Sequence, residues 1–176
     1  MSFAGYALTL MNDALEPPLP RKHAARALFV FTAAVGAAAA IGVATGGGKS
    51  PWYRSLRKPK GEPPAAAFAP VWTTLFGLIA TSGWRIWRAP DSHARSRALN
   101  LWATQLVLNG AWTPLFFGAH AKKLALADSV ALLLSIGAYI HEARKADPAA
   151  AWLVVPYAGW VSYATYLNAG IVVRND

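Results

Sequence analysis

The sequence predicts an all-α membrane protein, a bundle of five transmembrane helices, and three features of the chain lead to this prediction. Of its 176 residues, 55% are hydrophobic and only 14% are charged, whereas soluble domains carry about 25% charged residues. The charged residues are clustered, so that five long runs are nearly free of them. About 20 such residues form a helix that crosses ~30 Å of hydrocarbon. The connections between the runs carry the Lys, Arg, Pro and Gly that are typical of surface loops.

The five runs define the predicted helices and the extent of the domain. We place the helices at about residues 27–44, 65–84, 98–119, 124–140 and 149–173. They form one domain, residues 24–176, and residues 1–23 are an N-terminal extension whose acidic residues are atypical of a transit peptide. The first helix is rich in Ala and Gly, which allow helices to approach closely in lipid, so we expect it to be packed inside the bundle.

Asp128 is the one charged residue within these runs. It lies about one turn into the fourth predicted helix, just after Lys122 and Lys123, which favours a salt bridge or a helix-terminus role over proton transfer. The 17 Lys and Arg residues are spread over every loop instead of forming a stripe, which argues against nucleic acid as a partner. Their near balance between the two sides leaves the orientation of the bundle open.

The longest connection, residues 45–64, is predicted to be an ordered lid over one mouth of the bundle. It holds Trp52, Tyr53 and four prolines, whereas a flexible linker would not hold rigid residues at this density. We therefore expect this loop to contribute to a binding site.

Three of the predicted helices each present an aromatic stripe with a few hydrogen-bonding groups. The stripes are Phe68, Trp72 and Phe76 in the second helix, Gln105, Asn109, Trp112 and Phe116 in the third, and Trp160, Ala164 and Leu167 or Asn168 in the fifth. Side chains at these spacings share one helix face, and such a lining is typical of a small-molecule pocket. Core packing of the rings and interhelical hydrogen bonding by the amides are the alternative explanation.

Catalytic and metal-binding chemistry has little support in the sequence. The chain has no cysteine, which excludes disulfides and thiolate chemistry. The four histidines form no pair at helical i, i+3 or i+4 spacing, and His120 and His141 would be ~31 Å apart along a helix. We therefore predict no catalytic residue, no metal site and no resident cofactor.

A series of motifs follows the first helix. They are Trp52-Tyr53, Lys58-Pro59 and Pro63-Pro64 in the loop, Pro70-Val71-Trp72 and Leu75-Phe76-Gly77 in the second helix, Gln105-Leu106, Asn109, Trp112-Thr113-Pro114 and Phe116-Phe117-Gly118 in the third, and Pro156-Tyr157, Trp160, Tyr163-Ala164-Thr165 and Leu167-Asn168 in the fifth. In their order and spacing these motifs closely resemble the TspO/MBR family, over nearly the whole chain beyond its N-terminal extension.

The resemblance implies a five-helix bundle, commonly a homodimer, with a ligand pocket beneath the first loop. The implied ligands are porphyrins such as protoporphyrin IX and, in many members, cholesterol. Carried over by position, the implied pocket residues are Tyr53 and Pro64 in the lid, Phe68, Trp72 and Phe76 on one wall, Asn109 and Trp112 on another, and Trp160, Ala164 and Leu167 on a third.

Two departures from the family pattern stand out. Many relatives have one or two tryptophans between the prolines of the first loop, where this chain has Lys60-Gly61-Glu62, so Lys60 is expected to meet a porphyrin propionate. The sterol pattern at the end of the fifth helix requires a Tyr between Leu167 and Arg174, and this chain has none there.

The sequence therefore predicts a multi-pass integral membrane protein that binds a porphyrin or another flat apolar molecule, sterols included. Its expected role is tetrapyrrole transport, handling or stress signalling. The Ala-rich, Cys-free composition is compatible with a bacterial envelope membrane, and the mitochondrial outer membrane is the corresponding place in a eukaryote. The alternative is a membrane enzyme that degrades the bound tetrapyrrole oxidatively, with the tryptophans as redox participants.

Overall fold

A computed structural model of the chain describes residues 21–44 and 50–176, and every regular element within these ranges is a helix. The elements are α1 (Arg21–Ala44), α2 (Pro51–Ser55), α3 (Ala65–Arg88), α4 (His93–Thr113), a π-helical turn (Pro114–Gly118), α5 (Lys122–Ala146) and α6 (Pro148–Asn175). Most of the predicted N-terminal extension and the glycine run of the first loop lie outside the described residues. The all-helical prediction is confirmed for the described part of the chain.

The long helices run further than the charge-free segments, because charged side chains near helix ends carry their charges to the surface. α3, for example, ends at Arg88 instead of residue 84. Polar caps begin two of the long helices. Ser92 Oγ accepts the Arg95 amide N–H at 3.1 Å at the start of α4, and the Asp147 carboxylate accepts two amide N–H groups at 2.9 and 3.2 Å at the start of α6. Such caps satisfy amides that the helix itself leaves without a partner.

Consecutive long helices run antiparallel, and buried polar side chains align them. α5 packs against α4 and α6, α3 packs against α6, and α1 packs against α3 and α4. The Ser82 hydroxyl lies 2.5 Å from the Tyr139 hydroxyl and donates to the Ala150 carbonyl at 2.7 Å, which joins α3, α5 and α6. Trp102 Nε1–H donates to the Ile79 carbonyl at 2.9 Å. These hydrogen bonds fix the relative positions of the helices that carry the aromatic stripes.

The prediction that α1 lies inside the bundle is wrong. Phe29 and Val30 are 74% and 62% exposed, and Val35 and Ala38 are the buried residues among its described side chains. Phe31 meets Trp102 edge-on, with 4.7 Å between the ring centroids. Small residues permit close approach of two helices but do not require it, so α1 packs through one narrow face that includes Phe31 and Val35 and presents Phe29 and Val30 outward.

Asp128 does not form the salt bridge that the sequence suggested. Lys122 and Lys123 instead bind the Asp176 side chain, with N–O distances of 2.6 and 3.1 Å. One carboxylate oxygen of Asp128 is buried and has no hydrogen-bond partner among the described residues. The competing carboxylate lies about fifty positions further along the chain, so local spacing did not reveal it.

By length and composition, two helical stretches are apolar enough to cross a membrane, Ala66–Arg88 and Lys122–Ala146, and Ala25–Ala40 is a shorter apolar helix. α4 and α6 carry the Trp, Gln and Asn residues of the aromatic stripes, and these residue types have low hydropathy. The residues that form the stripes therefore lower the hydropathy of the helices that carry them.

Candidate functional site

Six aromatic side chains of α3 and α6 form a continuous set, the inner aromatic group, which consists of Phe68, Trp72, Phe76, Tyr157, Trp160 and Tyr163. The rings of Trp72 and Trp160 are perpendicular, with their centroids 6.4 Å apart. Phe68 meets Trp160 edge-on at 5.7 Å, and Phe76 lies 5.1 Å from Trp72. Edge-on contacts bring the positive edge of one ring to the negative face of the next. Two regular helices hold all six rings.

Hydrogen-bonding groups border the inner aromatic group. The fully buried Tyr157 lies 6.2 Å from Trp72, and its hydroxyl accepts from Asn109 Nδ2 at 3.0 Å. Trp160 Nε1–H is buried without a partner in the described part of the chain, and so is the side-chain amide of Asn168, two turns further along α6. Unpaired polar groups in an interior are costly. These unpaired groups make the surroundings of the inner aromatic group a candidate binding site.

A second set of rings, the outer aromatic group, consists of Trp52, Tyr53, Trp112, Phe116 and Phe117. Trp112 stacks on Phe116 with 4.9 Å between centroids and 11° between planes, and Tyr53 meets Phe117 edge-on at 5.3 Å. Its members come from α2, the end of α4 and the π-helical turn, so the group joins the first loop to the bundle. No ring contact connects it to the inner aromatic group within residues 50–176.

The π-helical turn positions the outer aromatic group. Its wider spacing is seen in the hydrogen bond from the Ala119 amide to the Pro114 carbonyl at 2.8 Å, five residues apart instead of four. Phe116 is 1% exposed within this turn. The chain then reverses at His120, whose φ of 55° lies in the left-handed region, and enters α5.

The first loop is bound to the middle of α6 by a hydrogen bond and a close packing contact. The Tyr163 hydroxyl donates to the Gly61 carbonyl. Two turns later, Pro59 packs on Gly170, where an added Cβ would lie 2.8 Å from Pro59 Cβ. A glycine at this position therefore lets the loop approach the helix closely.

The same loop is also bound to the end of α6. The Arg57 amide N–H donates to Asn175 Oδ1, and Asn175 Nδ2 donates to the Arg57 carbonyl, both at 2.8 Å. This paired arrangement satisfies the backbone of one loop residue with one side-chain amide. The predicted order of the first loop is confirmed for residues 50–64, which lie along the C-terminal half of α6.

Within the loop, Tyr53, Lys58 and Glu62 form a compact polar cluster. The Tyr53 hydroxyl donates to the Glu62 carboxylate at 2.5 Å, and Lys58 Nζ lies 3.0 Å from the same carboxylate and 4.0 Å from the centroid of the Tyr53 ring. Burial, together with the bond to Glu62, raises the pKa of Tyr53 above its ordinary value. The phenol therefore stays protonated and acts as a donor at neutral pH. Lys60, between these residues in the chain, is exposed.

The structure distributes the ten predicted pocket residues over three places. Phe68, Trp72, Phe76 and Trp160 belong to the inner aromatic group, Tyr53 and Trp112 belong to the outer one, and the other four residues belong to neither group, although Asn109 is bonded to Tyr157 of the inner one. Ala164 and Leu167 are partly buried and follow Trp160 by one and two turns, whereas Pro64 is exposed at the start of α3.

Four residues that shape the site were not selected from the sequence. Tyr157 and Tyr163 lie three residues before and after Trp160, so helical spacing alone would have indicated them. Gly170 and Asn175 gave no such signal, because their contacts are with the distant first loop, and Asn175 binds a residue 118 positions away.

Comparison with known proteins agrees with the motifs. The sequence profile of the TspO/MBR family matches residues 28–174. The translocator protein of Ovis aries is 39% identical over 122 residues, which cover 66% of this chain and 70% of the relative. The tryptophan-rich sensory protein of Cereibacter sphaeroides is 36% identical over 143 residues, 81% of this chain and 87% of the relative. Protein CrtK of Rhodobacter capsulatus is 36% identical over 137 residues, 76% and 86% of the two chains. The chain therefore belongs to the TspO/MBR family of membrane proteins.

Proposed function

We propose that this chain is a membrane binding protein for porphyrins of the protoporphyrin IX type, with sterols as a second class of flat apolar ligand. Its role is tetrapyrrole transport, handling or stress signalling, and no residue acts as a catalyst. The observation that carries the proposal is the inner aromatic group, in which Trp72 and Trp160 lie beside hydrogen-bonding groups that have no partner within the described residues. The names translocator protein and tryptophan-rich sensory protein, borne by relatives, support binding over catalysis.

In this proposal all five long helices cross the bilayer. α4 is the shortest, with 21 residues, and at 1.5 Å per residue it spans ~31 Å, about the thickness of the hydrocarbon layer. Its Gln105 and the Asn168 side chain of α6 are each 2% exposed, which is where amides within a membrane are expected to lie. The protein is a homodimer in the same proposal, and its membrane is a bacterial envelope membrane.

The two aromatic groups have different parts in binding. Phe68, Trp72, Phe76 and Trp160 pack against the flat ring system, and Ala164 and Leu167 form the wall on α6. Trp160 Nε1–H and the Asn109 and Asn168 amides bind polar atoms of the ligand. Tyr53, Pro64 and Trp112 cover the entrance, and Lys60 meets a propionate at the surface.

A titration of intrinsic fluorescence with protoporphyrin IX in detergent tests this function. We expect saturable quenching, because two tryptophans lie in the proposed site. Trp152→Phe is the control, since Trp152 is 71% exposed. Its loss should leave the apparent Kd for protoporphyrin IX unchanged. If the folded protein shows no saturable quenching, the proposal that it binds porphyrins is wrong. Repeating the incubation in light and in darkness and finding a new absorbing product would instead favour oxidative degradation.

A further inference from the structure

A cleft of about 410 Å³ lies at the end of the bundle remote from the first loop. Its lining residues are Arg97, Asn100, Leu101, Ala138, His141 and Glu142. α4 contributes three of them at i, i+3 and i+4, and α5 contributes three at the same spacing, so one face of each helix is turned toward the cleft. The cleft lies in the first turns of α4 and the last turns of α5, whereas the first loop contacts the opposite end of the bundle.

The cleft changes from polar to apolar with depth. Arg97 and Glu142 lie closer to the helix ends, Leu101 and Ala138 lie one turn deeper, ~6 Å at 1.5 Å per residue, and Asn100 and His141 lie between these two levels. If the bundle crosses the membrane as proposed above, the helix ends mark the boundary between headgroups and hydrocarbon. The rim then faces the headgroup layer and the floor faces the first part of the acyl chains.

Positive charge predominates at the rim. The Glu142 carboxylate is bound by Lys145 Nζ at 2.8 Å and has His141 Nε2 at 3.9 Å. Arg97 also lies within electrostatic reach of Glu142. The two full positive charges of Lys145 and Arg97 therefore act on a single carboxylate. Arg97 is exposed, and its guanidinium presents several donors in a planar fork.

The other carboxylates at this end do not compensate for the excess. Arg85 Nε binds Asp147 Oδ2 at 2.9 Å, and Arg95 binds Asp91. Among the described residues, Asp91 before α4 and Asp147 between α5 and α6 thus each have a basic partner already. An anion in the cleft would thus meet uncompensated positive charge.

We propose that this cleft binds one anionic phospholipid. The phosphate lies against the Arg97 guanidinium and the Asn100 amide, and the beginning of an acyl chain covers Leu101 and Ala138. The volume of the cleft falls within the range of ~300–1,000 Å³ that is usual for small-molecule sites. Basic pockets between transmembrane helices are suited to anionic headgroups.

Native mass spectrometry of the detergent-purified protein, with added phosphatidylglycerol or phosphatidylcholine of identical chains, tests the proposal. We expect one phosphatidylglycerol to be retained preferentially by the parent. Arg97→Gln should weaken its retention about tenfold, since it removes a charge-assisted hydrogen bond to the phosphate that a residue outside the cleft does not make. Ala138→Leu keeps the charge and fills the floor of the cleft, so it should weaken retention as well.

Arg144→Gln is the matched control, because Arg144 is exposed near the same end of α5 and does not line the cleft. It should retain phosphatidylglycerol like the parent. Equal retention of the two lipids by the parent, or equal losses in Arg97→Gln and Arg144→Gln, would overturn the proposal. Loss of dimers in Arg97→Gln with unchanged lipid retention would also overturn it, since the cleft would then belong to a second copy of the chain.

Discussion

The inner and outer aromatic groups contain similar numbers of rings but are held by different kinds of structure. The inner group lies on two long helices, α3 and α6, whereas the outer group comes from a helix of five residues in the first loop, the last turn of α4 and a π-helical turn. Long packed helices keep a fixed geometry, while loops attached by a few hydrogen bonds open locally at lower cost. If the protein binds a porphyrin as proposed, we therefore expect the inner group to determine affinity and the outer group to control access.

Among the substitutions described here, the largest loss of porphyrin affinity that would separate the roles of the two aromatic groups is expected at Ala164. Ala164→Thr adds volume and a hydroxyl one turn from Trp160, and overpacking of this kind costs ~1–3 kcal/mol. We expect porphyrin affinity to fall about tenfold or more, at 1.4 kcal/mol per decade. The dissociation constant from fluorescence titration is the measurement.

Ser162→Thr is the matched control for this substitution. Ser162 is exposed on the same turn of α6, and the change adds one methyl group and ends in the same residue, away from the inner aromatic group. Its affinity should equal that of the parent. Equal losses in the two variants would mean that α6 responds to threonine as such, and the proposed binding face of the helix would be wrong.

A smaller effect, and one on rate, is expected at Gly170. Gly170→Ala would place Cβ 2.8 Å from Pro59, so the first loop must shift away from α6. We expect porphyrin to dissociate about fivefold faster, corresponding to ~1 kcal/mol. The recovery of tryptophan fluorescence after rapid dilution of the complex in a stopped-flow instrument measures this rate.

Gly159→Ala provides the comparison on the same helix. A Cβ at Gly159 meets nothing within 4 Å, and alanine improves helix propensity in both variants equally. Dissociation from Gly159→Ala should match the parent. If Gly170→Ala releases the ligand no faster than Gly159→Ala does, the loop does not control access.

The smallest effect is expected at Lys60. An exposed ion pair contributes up to ~1 kcal/mol, so Lys60→Ala should weaken the binding of protoporphyrin IX by no more than about fivefold. The dimethyl ester of the same porphyrin lacks the charge and should lose nothing. Titrations with both compounds give the comparison, and equal losses for acid and ester would remove Lys60 from the site.

The sequence predicted the parts of the site that depend on local spacing. Trp72 and Phe76, four residues apart, lie on one face of α3, and both belong to the inner aromatic group together with Trp160. Helical periodicity determines such faces before any tertiary contact is known. The density of prolines and aromatic residues likewise indicated an ordered first loop.

Contacts between distant residues were not predictable in this way. The pairing of Arg57 with Asn175 and of Lys122 with Asp176 depends on which helix ends meet, and spacing within one helix carries no information about that. The small residues of α1 suggested burial, but burial of a helix is decided by the surface that its neighbours offer. Trp112 shares the amide stripe of α4 with Asn109, yet the π-helical turn directs its packing toward Phe116.

The most direct test of the central claim is the protoporphyrin IX dissociation constant of Trp160→Leu beside that of Trp112→Leu, with circular dichroism to show that both variants fold. Trp160→Leu should bind about tenfold more weakly, because the ring contact and the indole N–H hydrogen bond to the ligand, together ~1–3 kcal/mol, are both lost. Trp112→Leu should change the dissociation constant by less than about threefold while altering the rates of entry and exit. The reverse order of affinities, or equal losses in the two variants, would contradict the assignment of affinity to the inner aromatic group.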